Sequence, residues 1–174
     1  MNVRTLVICA GAVLACLAAG ASAAGMPPAL ELPAGQALRL AAAARGVQIY
    51  ACQADPKAAA AGAWVLRAPE AELLDGAGRH IGRHGAGPYW ELEDGSRIVG
   101  EVVARDPGPD AKAIAWLLLR VKEHAGKGRL DEVQFVRRVD TAGGKAPAQC
   151  EPGQLGQELR VPYEARYEFF APGS

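Results

Sequence analysis

The stretch that decides the fold is Val161-Pro162-Tyr163-Glu164-Ala165-Arg166-Tyr167-Glu168-Phe169-Phe170. Its odd-numbered residues from Val161 to Phe169 are apolar or aromatic, and the residues between them include Glu164, Arg166 and Glu168. A period of two is typical of a β-strand with one buried face and one solvent-facing side. The segment therefore predicts a half-buried strand near the end of the chain.

Shorter segments upstream read the same way. Strands are predicted over 46–52, 63–67, 97–105 and 132–140, separated by loops rich in Gly and Pro. The segment 69–75 fits either a strand or one helical turn. The run from Ala113 to Leu119 is apolar on every side, which fits a buried strand or a buried helix. The surrounding strands favour a central strand for this run.

About eight short strands with few helical stretches indicate an all-β fold, mainly antiparallel. The expected architecture is a β-sandwich or a partly open barrel with little helix. We expect one β-rich domain over residues 36–174, preceded by an extended leader over 24–35. No internal repeat is visible.

The first 23 residues are typical of a secretory signal peptide. A basic start at Arg4 is followed by an apolar run and by Ala21-Ser22-Ala23, a small-residue cleavage pattern. The sequence therefore predicts export to the periplasm or the extracellular space, with no transmembrane segment after cleavage. A lipid anchor at Cys16 is disfavoured, because Leu14 fits a lipoprotein cleavage box poorly and the later site fits better.

The charges of the chain exclude one class of partner. The sequence holds 19 Lys and Arg against 19 Asp and Glu, and the basic residues are scattered, with Arg137-Arg138 the single adjacent pair. Because no basic patch or stacking platform stands out, nucleic-acid binding is not expected.

Two of the four cysteines remain after the signal is removed, Cys52 and Cys150. In an exported chain, two cysteines favour a disulfide over two separate buried thiols. A loop of about 100 residues closed in this way would stabilise the fold by up to about 4–5 kcal/mol in the chain-entropy model.

The densest chemistry lies between Arg79 and Ser96. We expect a hairpin with a four-residue loop over Gly85–Pro88, which places His84 opposite Tyr89, Gly82 opposite Glu91 and His80 opposite Glu93. One face would then carry the candidate binding residues, which are His80, His84, Tyr89, Glu91 and Glu93. The other face would carry Ile81, Arg83, Trp90 and Leu92. A one-residue error in the loop would exchange the faces.

This polar face suggests a metal or a catalytic site, and an ordinary solvated face is the favoured alternative. His80 and His84 would be about 13 Å apart on a strand, too far to share one ion. His84 with Glu91 is the candidate metal pair, and His84, Glu91 and Asp94 are the candidate catalytic residues. No cofactor is predicted, and a divalent metal is the less favoured reading.

Several blocks in order resemble a known family. They are Gly46-Val47-Gln48-Ile49-Tyr50-Ala51-Cys52, Gly87-Pro88-x-Trp90-Glu91, Asp94-Gly95-Ser96, Ala115-Trp116-Leu117-Leu118-Leu119, and Val161-Pro162-Tyr163-x-Ala165-x-Tyr167. The chain resembles the family of proteins of unknown function numbered 3455, found in exported proteins of bacteria and fungi. The resemblance implies export, a single domain and a Cys52–Cys150 link, and it implies no established activity.

Together these observations predict an exported binding or envelope-associated module without catalytic activity. Its partner would be a small molecule, a glycan or an envelope protein. The alternative is a metal-dependent or hydrolytic enzyme that uses His84, Glu91 and Asp94.

Overall fold

The computed structural model describes residues 25–54 and 62–173. Within these ranges no helix has the length and apolar character needed to cross a lipid bilayer. The predicted signal peptide and the cleavage site lie outside the described residues.

Eight antiparallel strands form one sheet that closes into a ring, in which each strand pairs with its neighbours in the chain and β1 pairs with β8. The strands are β1 (Gln36–Ala54), β2 (Gly62–Leu74), β3 (His80–Gly85), β4 (Tyr89–Leu92), β5 (Arg97–Asp106), β6 (Trp116–Ala125), β7 (Phe135–Gly143) and β8 (Glu158–Pro172). Two 3₁₀ turns, Pro28–Leu30 and Pro152–Gln154, are the described helical elements. The expected all-β, mainly antiparallel class is confirmed.

The ambiguous segments are both strands. Residues 69–74 continue β2. Of the apolar run, residues 116–119 lie in β6, where Leu117, Leu118 and Leu119 are all buried, and residues 113–115 precede the strand. Leu117 and Leu119 belong to the core inside the ring, and burial on both faces explains why this run shows no alternation.

The strand predicted near the end of the chain is β8, and its alternating pattern is confirmed. Tyr163, Ala165, Tyr167 and Phe169 face the core, and each is less than a tenth exposed. Glu168, on the outer face, is also buried, because it lies between Arg137 and Arg166 at 2.7 Å from each. The even-numbered face of this strand is therefore not uniformly solvated.

The predicted leader is not extended throughout. Pro28–Leu30 forms one 3₁₀ turn, and Leu30 is fully buried. Leu30 belongs to the same buried core as Ile98, Leu130, Val133 and Val136, and its 3₁₀ turn contacts β5 and β6. Because an apolar side chain gains free energy on leaving water, the leader closes this end of the ring with a leucine.

The interior is divided into two parts. In a ring of consecutive antiparallel strands, alternate connections lie at the same end, so the segments 75–79, 93–96 and 126–134 share one end with the leader. That end is filled by the core around Leu30. The connections 86–88, 107–115 and 144–157 share the opposite end, which is hollow.

Candidate functional site

A cavity of about 610 Å³ occupies the hollow end of the ring. Its lining comes from β1, β2, the β3–β4 hairpin, β5, the segment before β6, and inward residues of β6, β7 and β8. The volume falls in the range of small-molecule sites in proteins. The cavity is therefore the candidate functional site.

Aromatic rings form the floor of the cavity. The His84 ring stacks on Trp90 with 4.8 Å between centroids, and Tyr167 lies 4.9 Å from His84 and 5.4 Å from Trp90. Trp90 also meets Phe169 edge to face. These rings separate the hollow end from the packed end and fix the position of His84.

The inward position of His84 corrects the predicted hairpin. The loop has three residues between Gly85 and Tyr89, not four, and the register pairs His84 with Trp90 and Arg83 with Glu91. Leu73 pairs with Gly82 and Leu74 with His80, so Ile81 is an extra residue in β3. This bulge places Ile81 and Gly82 both on the inner face. Each later residue of β3 therefore lies on the face opposite to the predicted one.

The bulge divides the predicted polar face. His84 lies inside and is 3% exposed, whereas Tyr89 and Glu91 lie on the outer face. Ile81, Trp90 and Leu92 lie in the core as expected, and Arg83 lies outside. His80 contacts Glu93 across the ladder, with Nδ1 2.7 Å from Oε1.

The three candidate catalytic residues do not come together. Glu91 forms ion pairs with Arg83 and Arg97 on the outer face. Asp94 lies in the turn before β5, where it accepts hydrogen bonds from Ser96 and Arg129. These bonds hold the pKa of Asp94 at about 2, against the opposing effect of burial. A catalytic set of His84, Glu91 and Asp94 is therefore not formed.

The candidate metal pair is not brought together either. His84 and Glu91 are on opposite faces of the sheet and cannot bind one ion together. Across residues 25–54 and 62–173, no three His, Cys, Asp or Glu side chains gather in a way that would hold a metal.

His84 has a defined protonation pattern. Its Nδ1 lies 2.7 Å from the backbone oxygen of Tyr89, and since a carbonyl oxygen accepts only, Nδ1 carries the hydrogen. Burial is the main reason why the pKa of His84 is lowered to about 3. The positive charge of Arg138 lowers this pKa further, and the hydrogen bond to Tyr89 acts to raise it. His84 is therefore neutral near pH 7, and Nε2 is left as a hydrogen-bond acceptor.

Among the residues that the structure describes, cations line the cavity and carboxylates do not. These residues include Arg67, Arg105, Arg138 and Lys145, with no Asp or Glu among them. None of the four lies in an ion pair with a described residue, whereas most other described arginines do. In a chain with no formal net charge, the cavity is thus locally positive and attracts anions.

Arg138 is the most enclosed of these cations. Its Nε and Nη2 donate to the backbone oxygen of Ala115 at 3.1 and 2.8 Å. A guanidinium carries five N–H donors, so this contact leaves donors for another acceptor. Sequence reasoning missed this residue, although two successive arginines on a strand must point to opposite faces, and one of them therefore inward.

Neutral polar atoms around the floor also lack partners. Within the described part of the chain, Gln48 Nε2, Trp90 Nε1 and the Tyr167 hydroxyl are buried without a hydrogen bond. The Tyr167 hydroxyl lies close enough to Tyr163 and to Arg138 for both to affect its ionisation, yet no contact of this hydroxyl meets the geometry of a hydrogen bond. Burial raises the pKa of both phenols, so both keep their protons.

Buried polar groups are usually satisfied, and each that is not calls for a reason. Here the unpaired groups of Gln48, Trp90 and Tyr167 line the same cavity as the acceptor nitrogen of His84 and the guanidinium of Arg138, which has donors left. The arrangement suits a ligand that supplies both acceptors and donors.

The disulfide lies at the same end. Cys52 and Cys150 are bonded, which confirms the pairing, and their Cα atoms are 6.0 Å apart. The bond joins the end of β1 to the connection between β7 and β8. It therefore ties together two parts of the chain that border the hollow end.

Comparison with known proteins adds the family. No curated protein and no solved structure matches the chain. The family model described as "Protein of unknown function (DUF3455)" matches residues 33–171, which covers most of the chain and the whole ring except its last residue. The protein belongs to this family.

Proposed function

We propose that the protein is an exported binding module whose cavity takes a small molecule with an apolar body and an anionic group. The observation that carries this proposal is the cavity of about 610 Å³, to whose lining the described part of the chain contributes four cations and no carboxylate. Apolar walls would hold the body of the ligand, and Arg138 would hold its anionic group. Binding is favoured over catalysis because the candidate catalytic residues lie apart.

Export is part of the proposal. The first 23 residues have the pattern of a signal peptide, and the Cys52–Cys150 bond suits an oxidising compartment. Both features favour the periplasm or the extracellular space.

The test uses a pair of fluorescent probes that differ in charge. Anilinonaphthalene sulfonate has an apolar body and one anionic group, and phenylnaphthylamine is its uncharged counterpart. We expect the wild-type protein to bind the sulfonate more tightly. Arg138→Gln should weaken the sulfonate at least tenfold, because a charge-assisted bond in a cavity is worth roughly 1.5–3 kcal/mol, and should leave the uncharged probe nearly unchanged.

The matched control is Arg39→Gln, which removes another arginine without an ion pair among the described residues, but one outside the cavity. It should bind both probes as the wild type does. Near-ultraviolet circular dichroism must show the native spectrum in every variant, since partly folded proteins also bind such dyes. Equal losses for both probes in Arg138→Gln would contradict the proposal, as would no binding by the wild type.

A further inference from the structure

The wall of the ring has a notch above the short β3–β4 hairpin. The last pair between β2 and β3 joins Ala71 to His84, so residues 62–70 of β2 have no partner in β3. On the other side, the last pair between β4 and β5 joins Tyr89 to Val99, so most of β5 extends past the hairpin. The hairpin tip forms the base of the notch, and the cavity opens through it.

The two lips of the notch are apolar and exposed. Leu66 and Val102 line the cavity at 51% and 36% exposure, and their chain neighbours Val65 and Val103 are 39% and 48% exposed. These four are among only six large apolar residues exposed in the described ranges. Scattered apolar residues are ordinary on a surface, but a concentration around an opening marks a contact site.

A cation stands on each lip. Arg67 lies next to Leu66 on β2, and Arg105 lies on β5 beyond Val103. Both line the cavity, and neither is in an ion pair with a described residue. Of the nearby acids, Glu101 is paired with Arg120, and Asp106 accepts a hydrogen bond from the backbone of Gly108. Apolar side chains beside unpaired cations complement an anionic lipid surface.

We propose that the lips of the notch dock on an anionic lipid bilayer, with the cavity open towards it. The inference rests on the proposed function in one respect, which is that the docked mouth would receive an anionic amphiphile from the bilayer. Valines and Leu66 would enter the interfacial region, and Arg67 and Arg105 would contact lipid phosphates.

The lips are poorly suited to the other common occupant, an added peptide strand. Arg67 on β2 and Val103 on β5 are both bulge residues, opposite which the register shifts. Pro69 also lies on β2 and has no N–H to donate. Bulges and proline are devices that blunt a free sheet edge against further strand pairing.

The experiment measures co-sedimentation with vesicles of phosphatidylcholine alone or mixed with phosphatidylglycerol, at low salt. The wild-type protein should bind the mixed vesicles at least tenfold more tightly. Arg67→Gln with Arg105→Gln should remove this preference, because each basic residue near an anionic surface adds about 1 kcal/mol of binding free energy. Salt at 0.5 M should also remove it, because it shortens the electrostatic screening length to about 4 Å.

A second pair of substitutions separates docking from cavity binding. Val65 and Val103 do not line the cavity, so Val65→Asn with Val103→Asn should reduce vesicle binding about tenfold and leave the affinity for anilinonaphthalene sulfonate unchanged. The control is Leu38→Asn, which changes an exposed residue near the start of β1, at the filled end of the ring. This control should bind vesicles as the wild type does.

The docking proposal is overturned if neutral and mixed vesicles bind equally, or if Val65→Asn with Val103→Asn binds vesicles as the Leu38→Asn control does. It is also overturned if the lips hold a second copy of the chain, shown by a dimer that Val65→Asn with Val103→Asn dissociates in ultracentrifugation. Vesicle binding without sulfonate binding would support docking and contradict the proposed function. Sulfonate binding without vesicle binding would support the proposed function and contradict docking.

Discussion

Arg137 and Arg138 are neighbours on β7, yet their side chains lie in opposite surroundings. Arg137 points outward and forms an ion pair with Glu168 at 2.7 Å, where only 15% of its side chain is exposed. Arg138 points inward and contacts a backbone oxygen, with no carboxylate partner among the described residues. Removing a cation from water without an anionic partner costs free energy. We therefore expect an anionic ligand to bind at Arg138.

His84 is the residue whose protonation should govern stability in acid. Its pKa is about 3 in the folded protein and about 6.5 in an unfolded chain. Between these values the unfolded state binds the proton and the folded state does not. Stability is therefore lost as the pH falls from about 6.5 towards 3, and we expect His84 to account for about 2–3 kcal/mol of the loss between pH 7 and pH 4.5.

Urea denaturation at the two pH values measures this effect in the wild type and in His84→Phe. The phenyl ring keeps the stack on Trp90 and cannot titrate, so the variant should lose less stability in acid. His124→Asn is the matched control, since His124 is exposed and contacts a backbone oxygen and no described carboxylate, and the acid loss of this variant should equal that of the wild type. An unchanged acid loss in His84→Phe would assign the effect to other groups.

At the scale of the elements, β3 shows what alternation can and cannot predict. The faces of β4 follow the expected pattern, with Trp90 and Leu92 inside and Tyr89 and Glu91 outside. The pattern fails in β3 after Ile81, because a bulge adds one residue. The glycine at position 82, directly after the bulge, lets β3 lie close to β4, since a Cβ there would lie 2.2 Å from the backbone oxygen of Glu91. The alternation of apolar and polar residues in a sequence does not show where a bulge adds a residue, so the faces of β3 after the bulge could not be predicted.

Most of the fold could be predicted for a physical reason. Strands such as β8 carry their own evidence, because the inward residues Tyr163, Ala165, Tyr167 and Phe169 alternate with the charged residues Glu164, Arg166 and Glu168. The cavity could not be predicted, since it depends on how far β2 and β5 extend past the hairpin. Arg138 was missed because the sequence does not show which of the two adjacent arginines on β7 points inward. It also does not show that no carboxylate among the described residues pairs with Arg138 inside the ring.

Close contact between β1 and β2 depends on a glycine. A Cβ at Gly46 would lie 2.0 Å from the backbone oxygen of Glu70 and 2.6 Å from the Cα of Ala71. Both neighbours are backbone atoms that cannot rotate away, so Gly46→Ala should cost about 2–3 kcal/mol of unfolding free energy. Chemical denaturation measures the cost.

The matched control is Gly76→Ala in the turn before β3, where a Cβ would meet nothing within 4 Å. It should change the unfolding free energy by about 0.5 kcal/mol or less. Similar effects at the two glycines would show that β1 and β2 are free to move apart.

At the scale of the whole molecule, one covalent bond joins positions 98 residues apart. Cys52→Ala with Cys150→Ala should lower the unfolding free energy by about 2–5 kcal/mol, because a long loop in the unfolded chain is released. Urea denaturation tests this. Reductant should destabilise the wild type to a similar degree and leave the double variant unaffected. If the double variant were as stable as the oxidised wild type, the ring alone would hold the hollow end together.

The division of the ring into a filled end and a hollow end has a consequence for how such a protein can change over evolutionary time. Substitutions around Leu30 act on the core and carry a stability penalty, whereas substitutions around the mouth remove few packed contacts. The mouth can therefore acquire a new selectivity by single steps while the filled end keeps the chain folded. Engineered variation should accordingly be confined to the mouth, where a library can be large without most of its members being lost to unfolding.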